Sequence, residues 1–189
     1  MIAMSPVRQL LASLRMMLVL TLALGVVFPA LVWGVGRAVA GDQAAGSLVH
    51  RDGAVVGSSL LGQAVKDPAL FHPRPSTSEY AGDTSGGSNL AESSADQATA
   101  IAERRTAYAD IAEGQPTADA LTASASGLDP DISPEFARAQ VARVAAATGL
   151  DATRVAQLVR EHTTGRQLGF LGEPRVNVLE LNLAVDALR

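Results

Sequence analysis

The sequence predicts a single N-terminal transmembrane helix followed by a mixed α/β extracytoplasmic domain. Three observations carry this reading. Met16 to Gly36 is a run of 21 residues without an ionisable group. Asp52-Gly53 lies between two short apolar runs, a hairpin signal because glycine accepts the positive φ of the turn. Ser133-Pro134-Glu135 and Asp151 each open a segment with helical apolar spacing.

The elements follow in chain order. As a helix, the apolar run would rise about 31 Å, which matches a hydrocarbon core of about 30 Å. Arg8 and Arg15 precede it, whereas Arg37 follows and Asp42 soon offsets it. That bias places residues 1–12 in the cytoplasm as a short N-terminus, 13–36 in the membrane, 37–46 as a linker and 47–189 outside as the α/β domain. The competing reading is a signal peptide cut after Ala38-Val39-Ala40. A signal peptide's apolar core is usually about 7–15 residues, shorter than this one, so the anchor is expected to stay. Gly25, Ala30, Gly34 and Gly36 leave room for another helix, and Pro29 is easier to keep beside one.

Beyond the flexible exit Gly41–Gly46, residues 47–50 and 54–57 form the hairpin strands, and Ser58–Gln63 extends the second strand or begins a loop. Asp67–Gly87 holds Pro68, Pro73, Pro75, Gly82, Gly86 and Gly87, which preclude a regular helix. Phe71 and Tyr80 are expected to pin this long loop to the domain or to a partner. Asn89–Ala112 is a helix candidate, with Ser88 or Asn89 as its cap and Ile101, Tyr108 and Ala112 near one face. Residues 117–130 read as a turn-rich passage. A helical hairpin follows over Ser133–Thr148 and Asp151–His162, with Gly149 ending its first arm and Val155, Leu158, Val159 and His162 on one face. Gly165–Pro174 is a loop with an apolar tip at Leu168-Gly169-Phe170-Leu171. Val176–Leu181 reads as a strand, and Asn182 onward as a short helix.

Composition removes whole classes of chemistry. There is no cysteine, so no thiol catalysis, haem attachment, iron–sulfur ligation or disulfide staple. Beyond Arg37 lie 12 Lys and Arg and 19 Asp and Glu, a formal charge of −7 on the exported part. That sign is wrong for nucleic acid and offers nothing to an anionic lipid surface. His50, His72 and His162 lack the spacing of a zinc site. Ser85-Gly86-Gly87-Ser88-Asn89 lacks the lysine of a phosphate loop. No nucleophile motif for serine chemistry is present, and no carboxylate pair is singled out. The sequence offers no catalytic residue, no metal ligand set and no cofactor site.

What remains is recognition. Arg74, Ser76, Tyr80 and Asn89 combine an irregular backbone with an aromatic and a fork-shaped cation, a combination suited to a partner surface. Arg74 is equally suited to pairing with an acid of its own domain, and both readings stand. Leu168, Phe170 and Leu171 supply a second, apolar contact. An exported ligand-binding or sensing module with its pocket at the long loop is the alternative, and a cell-envelope hydrolase is a third.

Several fragments, in order, carry a family resemblance. They are the N-terminal span, Gly53-Ala54-Val55-Val56-Gly57-Ser58, Leu61-Gly62-Gln63, Arg74-Pro75-Ser76, Gly86-Gly87-Ser88-Asn89-Leu90, Ala125–Pro134 and Leu168–Leu179. The chain resembles the KdpC family, the C subunit of the bacterial potassium-transporting Kdp ATPase complex. The resemblance implies a non-catalytic accessory subunit in the inner membrane, with its N-terminus in the cytoplasm. It implies three partners: a channel-like potassium-binding subunit, a P-type ATPase catalytic subunit and a small one-helix subunit. The complex would use ATP with magnesium and transport potassium, while this subunit would bind no cofactor. Stabilising assembly and assisting ion entry or turnover are the implied roles. An older family idea has this subunit promoting nucleotide binding, but the bilayer would separate residues 38–189 from cytosolic ATP. The chain departs from the family at Asp131, where histidine is usual, and at Ala91-Glu92-Ser93, where Gly-Pro-Ser is common. A role resting on that histidine does not transfer to Asp131.

Overall fold

A computed structural model describes residues 5–189, which divide into two compact units, one ending at Leu48 and the other running from Val49 to Arg189. The first unit is a helix from Pro6 to Val39, long and apolar enough to cross a membrane. It comprises α1 (Pro6–Leu22), a π-helical turn at Ala23–Val27 and α2 (Phe28–Val39). Pro6 starts it where a missing N–H costs nothing. The exit read as flexible contains a one-turn helix, α3 (Gly41–Ala44).

The second unit is the mixed α/β domain. Strands β1 (Leu48–Arg51) and β2 (Ala54–Ser58) make a two-stranded hairpin. Asp52 and Gly53 both have positive φ, 52° and 78°, the turn that right-twisted strands favour. After the long loop come α4 (Ala95–Ile111), the short α5 (Ala118–Leu121) and β3 (Asp131–Ile132). The helical hairpin is α6 (Pro134–Thr148) and α7 (Ala152–Glu161), followed by β4 (Thr163–Thr164), β5 (Arg175–Asn177) and α8 (Val178–Asp186). A second, antiparallel sheet has the order β3-β5-β4, with Val176 opposite both Ile132 and Thr163.

The core gathers between the helical hairpin, the small sheet and α8. Phe136, Val144, Val155, Val159, Val176, Leu181 and Val185 are almost wholly buried. Tyr108 from α4 stacks on Phe136 with ring centroids 6.1 Å apart. Ser133 caps α6 by accepting from Phe136 N at 3.0 Å. Asp151 caps α7 by accepting from Thr153 N at 2.8 Å and Arg154 N at 3.2 Å. Gly149, at φ 74°, ends α6 in the left-handed conformation.

Two boundaries differ from the sequence reading. The helix expected from Asn89 begins at Ala95, because its cap is Ser94, whose Oγ accepts from Gln97 N at 3.0 Å. Neither Ser88 nor Asn89 caps it. The strand expected over Val176–Leu181 is only β5, and α8 begins at Val178. Asn177 causes the switch, since its Oδ1 accepts from Glu180 N at 3.1 Å and starts a helix there.

Candidate functional site

The long loop is ordered because the domain completes its backbone hydrogen bonds. Phe71 is fully buried, and the strand-like passage at Phe71-His72 has no strand beside it. Two side-chain amides stand in for one. Asn182 of α8 accepts from Phe71 N at 2.8 Å and donates to Phe71 O at 3.0 Å. Gln140 of α6 does the same for His72, accepting from its N–H at 2.7 Å and donating to its carbonyl at 3.0 Å. Arg143 then gathers carbonyls: Ile111 O and Leu70 O at 2.7 Å each, and Pro68 O. Burial holds the His72 imidazole below its ordinary pKa, and the Arg143 cation adds to the effect. His72 is therefore neutral near neutral pH.

Beyond His72 the loop latches onto the passage 124–131. Arg74 Nη1 pairs with Asp129 at 2.8 Å, with both side chains about three-quarters buried. Ser76 Oγ donates to Gly127 O at 2.7 Å and accepts from Tyr80 N at 3.1 Å. The Tyr80 hydroxyl donates to Arg74 O. Burial, reinforced by the Asp129 charge, pushes the Tyr80 phenol above its ordinary pKa, so it remains a donor. Ser124 N donates to Pro75 O at 3.0 Å, and Gly86 N to Ser126 O at 2.8 Å.

Two glycines permit this closeness. A Cβ on Gly62 would stand 2.4 Å from Asp129 O, and one on Gly127 would stand 2.3 Å from Ser78 Oγ. Gly127 also has a φ of 69°. Each is a point where one backbone presses on another.

Arg74, Ser76 and Tyr80 are thus brought together as the working parts of a latch. The acid partner of Arg74 belongs to its own domain. Asn89 is not part of this cluster. It is exposed, with a φ of 53°, and its side chain makes no hydrogen bond among the described residues.

Asp131 lies beside the latch, on β3, and pairs with Arg175 of β5 at 3.0 Å. Burial lifts its carboxyl above the ordinary range against the pull of Arg175, and Asp129 and Glu180 lift it further. An aspartate therefore occupies this position with a cation of its own chain opposite it.

The apolar tip forms a separate feature. Gln167 and Leu171 exchange backbone hydrogen bonds at 2.8 and 2.9 Å, and Arg166 pairs with Glu173 at 2.6 Å across the base. Leu168 at φ 52° and Gly169 at φ 82° turn the chain. Leu168 is 83% exposed, Phe170 68% and Leu171 48%. A closed three-residue turn therefore presents large apolar groups to the outside at little further entropic cost.

A cleft of about 210 Å³ lies between residues 61–73 and α8, lined by Leu61, Val65, Leu70, Val178 and Leu183, with Asp67 and Asp186 also contributing. Among the described residues no group of three or more His, Cys, Asp or Glu is placed to hold a metal ion. In the membrane helix, Gly25 and Gly34 have open space where a Cβ would stand, and Pro29 follows the π turn.

Sequence reasoning missed Gln140, Arg143 and Asn182. Gln140 and Asn182 did leave a trace. Gln140 falls between Phe136 and Val144 at four-residue spacing, and Asn182 interrupts an apolar run, so each is a polar group set on a core-facing stripe.

The chain was then compared with known proteins. A sequence model of the family described as "K+-transporting ATPase, c chain" matches residues 10–187. A "Potassium-transporting ATPase KdpC subunit" from Kineococcus radiotolerans is 54% identical over 183 residues, covering 94% of this chain and 93% of the relative. Proteins of the same description are 50% identical in Gemmatimonas aurantiaca, over 93% of this chain and 92% of the relative, and 46% identical in Cereibacter sphaeroides, over 97% and 98%. Span, latch and apolar tip all lie within the matched residues, and the chain belongs to the KdpC family.

Proposed function

We propose that this chain is a non-catalytic accessory subunit of an ATP-driven potassium uptake complex. It stabilises the assembly and assists ion entry or turnover. The observation that carries the proposal is similarity running through both the anchor and the domain to proteins described as subunits of a potassium-transporting ATPase. The partners in this reading are a channel-like potassium-binding subunit, a P-type catalytic subunit and a small one-helix subunit. The helix sits in the bacterial inner membrane with its N-terminus in the cytoplasm and the domain outside, as the Arg8 and Arg15 bias favours. ATP and magnesium are handled by the catalytic subunit across the bilayer, and potassium is the cargo.

Within the domain, roles divide by geometry. Arg74, Ser76 and Tyr80 hold the shape of the docking face, while Asn89, Leu168, Phe170 and Leu171 are free to touch a partner. The rigid, greasy turn at 168–171 supports docking over small-molecule capture, because an apolar anchor on a fixed backbone is what protein interfaces use.

The test is purification of the tagged full chain from native membranes in mild detergent. The expected result is stoichiometric recovery of large membrane subunits with potassium-stimulated ATPase activity. Recovery of the chain alone, or of a soluble form beginning near Gly41, would refute the proposal.

A further inference from the structure

One groove on the domain runs against the charge of the rest. It lies between α4 and the long loop, with Phe136 and Ala120 buried at its base and Val65, Ile111, Pro73 and Pro75 along its sides. Residues 38–189 hold 19 acidic side chains and 12 Lys and Arg. Yet no Asp or Glu lines this groove, whereas Arg74 and Arg104 both do. An acidic domain therefore carries one apolar channel whose local charge is positive.

The polar groups left unspent there are donors. Arg104 of α4 is half-buried and fixed by one arm, its Nη1 donating to Leu121 O at 3.0 Å. It pairs with no carboxylate among the described residues, so the rest of its fork is unclaimed. Arg74 is spent on Asp129 through Nη1, while its Nε has no partner among the described residues. The hydroxyls of Tyr80 and Ser76 are already committed to Arg74 O and Gly127 O. Pro73 and Pro75 have no N–H and a fixed φ, so that side neither donates nor yields. His72, neutral near neutral pH, adds no charge of either sign.

We infer that this groove docks an Asp or Glu with an apolar neighbour, carried on an extracytoplasmic segment of a partner subunit, and that Arg104 receives the carboxylate. The charge complementarity selects the occupant. Unclaimed donors call for an acceptor, and a cation without a carboxylate calls for an anion; potassium has nothing to bind here. The apolar sides take the neighbouring side chain. About 300 Å³ has room for that pair of side chains but not for the acyl chains of a phospholipid. Arg104 is already held by Leu121 O, so it loses little freedom when the acid arrives. The inference rests on the complex proposed above and adds a charged contact to the apolar one at 168–171.

The test uses the full chain co-expressed with its membrane partners and recovered by tag in mild detergent, with partner retained per chain as the readout. Arg104→Gln removes the charge and keeps a donor for Leu121 O. Ala107 is exposed and lines the groove one turn further along α4, so Ala107→Glu sets a rival carboxylate beside Arg104 without touching the core. Each is expected to lower retention about tenfold, the scale of one interface hot spot, at an unchanged unfolding temperature. Arg105→Gln removes an equal charge from an exposed neighbour outside the groove and is expected to retain partners as the wild type does. Undiminished retention by both Arg104→Gln and Ala107→Glu overturns the acidic occupant while leaving the complex intact. If those variants at the same time lose co-purifying anionic lipid, the groove belongs to lipid. Equal loss by Arg105→Gln overturns the groove in favour of net charge. A wild-type chain that retains no membrane partner overturns the complex itself.

Discussion

Gln140 is wholly buried on the core-facing stripe of α6, and its amide serves both backbone groups of His72. Its carbonyl also accepts from Arg143 at 3.0 Å, so one side chain joins the clamp on Pro68, Leu70 and Ile111 to the strand-like segment beyond. Replacing it with leucine preserves approximate volume but leaves the N–H and carbonyl of half-buried His72 unpaired. Gln140→Leu is therefore expected to destabilise the protein by about 2 to 4 kcal/mol, since each orphaned group costs about 1–3 kcal/mol and some relaxation is available. Denaturant unfolding measures this, and an unchanged midpoint would show that the amide merely fills space. The same residue shows what a sequence can hide. Its position on the stripe is readable from Phe136 and Val144, but its partners lie 68 residues away and belong to a loop with no periodicity of its own. Arg74 was half legible for the same reason. The side chain called for a carboxylate, and nothing local pointed to Asp129, 55 positions on.

At the scale of elements, legibility followed whether the starting signal was local. Ser133-Pro134-Glu135 and Asp151 place cap and first turn within four residues, and the structure builds α6 and α7 from them. Asp52-Gly53 is likewise self-contained. The boundary between β5 and α8 was misread because the apolar residues Val176, Val178, Leu179 and Leu181 fit a strand or a buried helix equally. Asn177 decides it, and does more than cap. While its Oδ1 accepts from Glu180 N, its Nδ2 donates to Ser59 O at 2.8 Å, tying the start of α8 to the chain beyond β2. Loss of a cap costs about 1 kcal/mol, and loss of a second bond adds a similar amount. Asn177→Ala is thus expected to lower stability by about 2 kcal/mol, and Asn177→Ser by less, because serine can keep the cap while losing the donor to Ser59, and sets no second carboxylate beside Asp131. Parallel thermal unfolding of the two variants checks the order. Equal losses would mean that the cap contributes nothing.

For the whole molecule the question is whether the domain acts on its complex through contact or through charge. Residues 38–189 carry seven excess negative charges, but at physiological salt their field fades over about 8 Å, so most cannot bear on an ion path elsewhere. Several carboxylates are also paired in place: Asp129 with Arg74, Asp131 with Arg175, Asp67 with Arg189 and Asp186 with Arg51. Contact has a better candidate in the turn at 168–171, where the ion pair of Arg166 with Glu173 and the Gln167–Leu171 bridge fix the backbone before any partner arrives. Substitution within the latch cannot decide between the two, because Arg74 and Tyr80 hold the loop together and their loss would disturb the fold. Leu168 and Phe170 are mostly exposed, so Leu168→Ser with Phe170→Ser removes apolar area from the surface and leaves the core untouched. This double variant is expected to unfold at the wild-type temperature and insert normally, yet to lose at least tenfold in subunit retention, the scale of one interface hot spot. The comparison is a variant with Glu92, Asp96 and Glu103 neutralised, three acids that form no ion pair among the described residues. It is expected to assemble and turn over potassium as the wild type does. Normal assembly of the serine variant alongside failure of the neutralised one would transfer the role from the apolar turn to the domain's field.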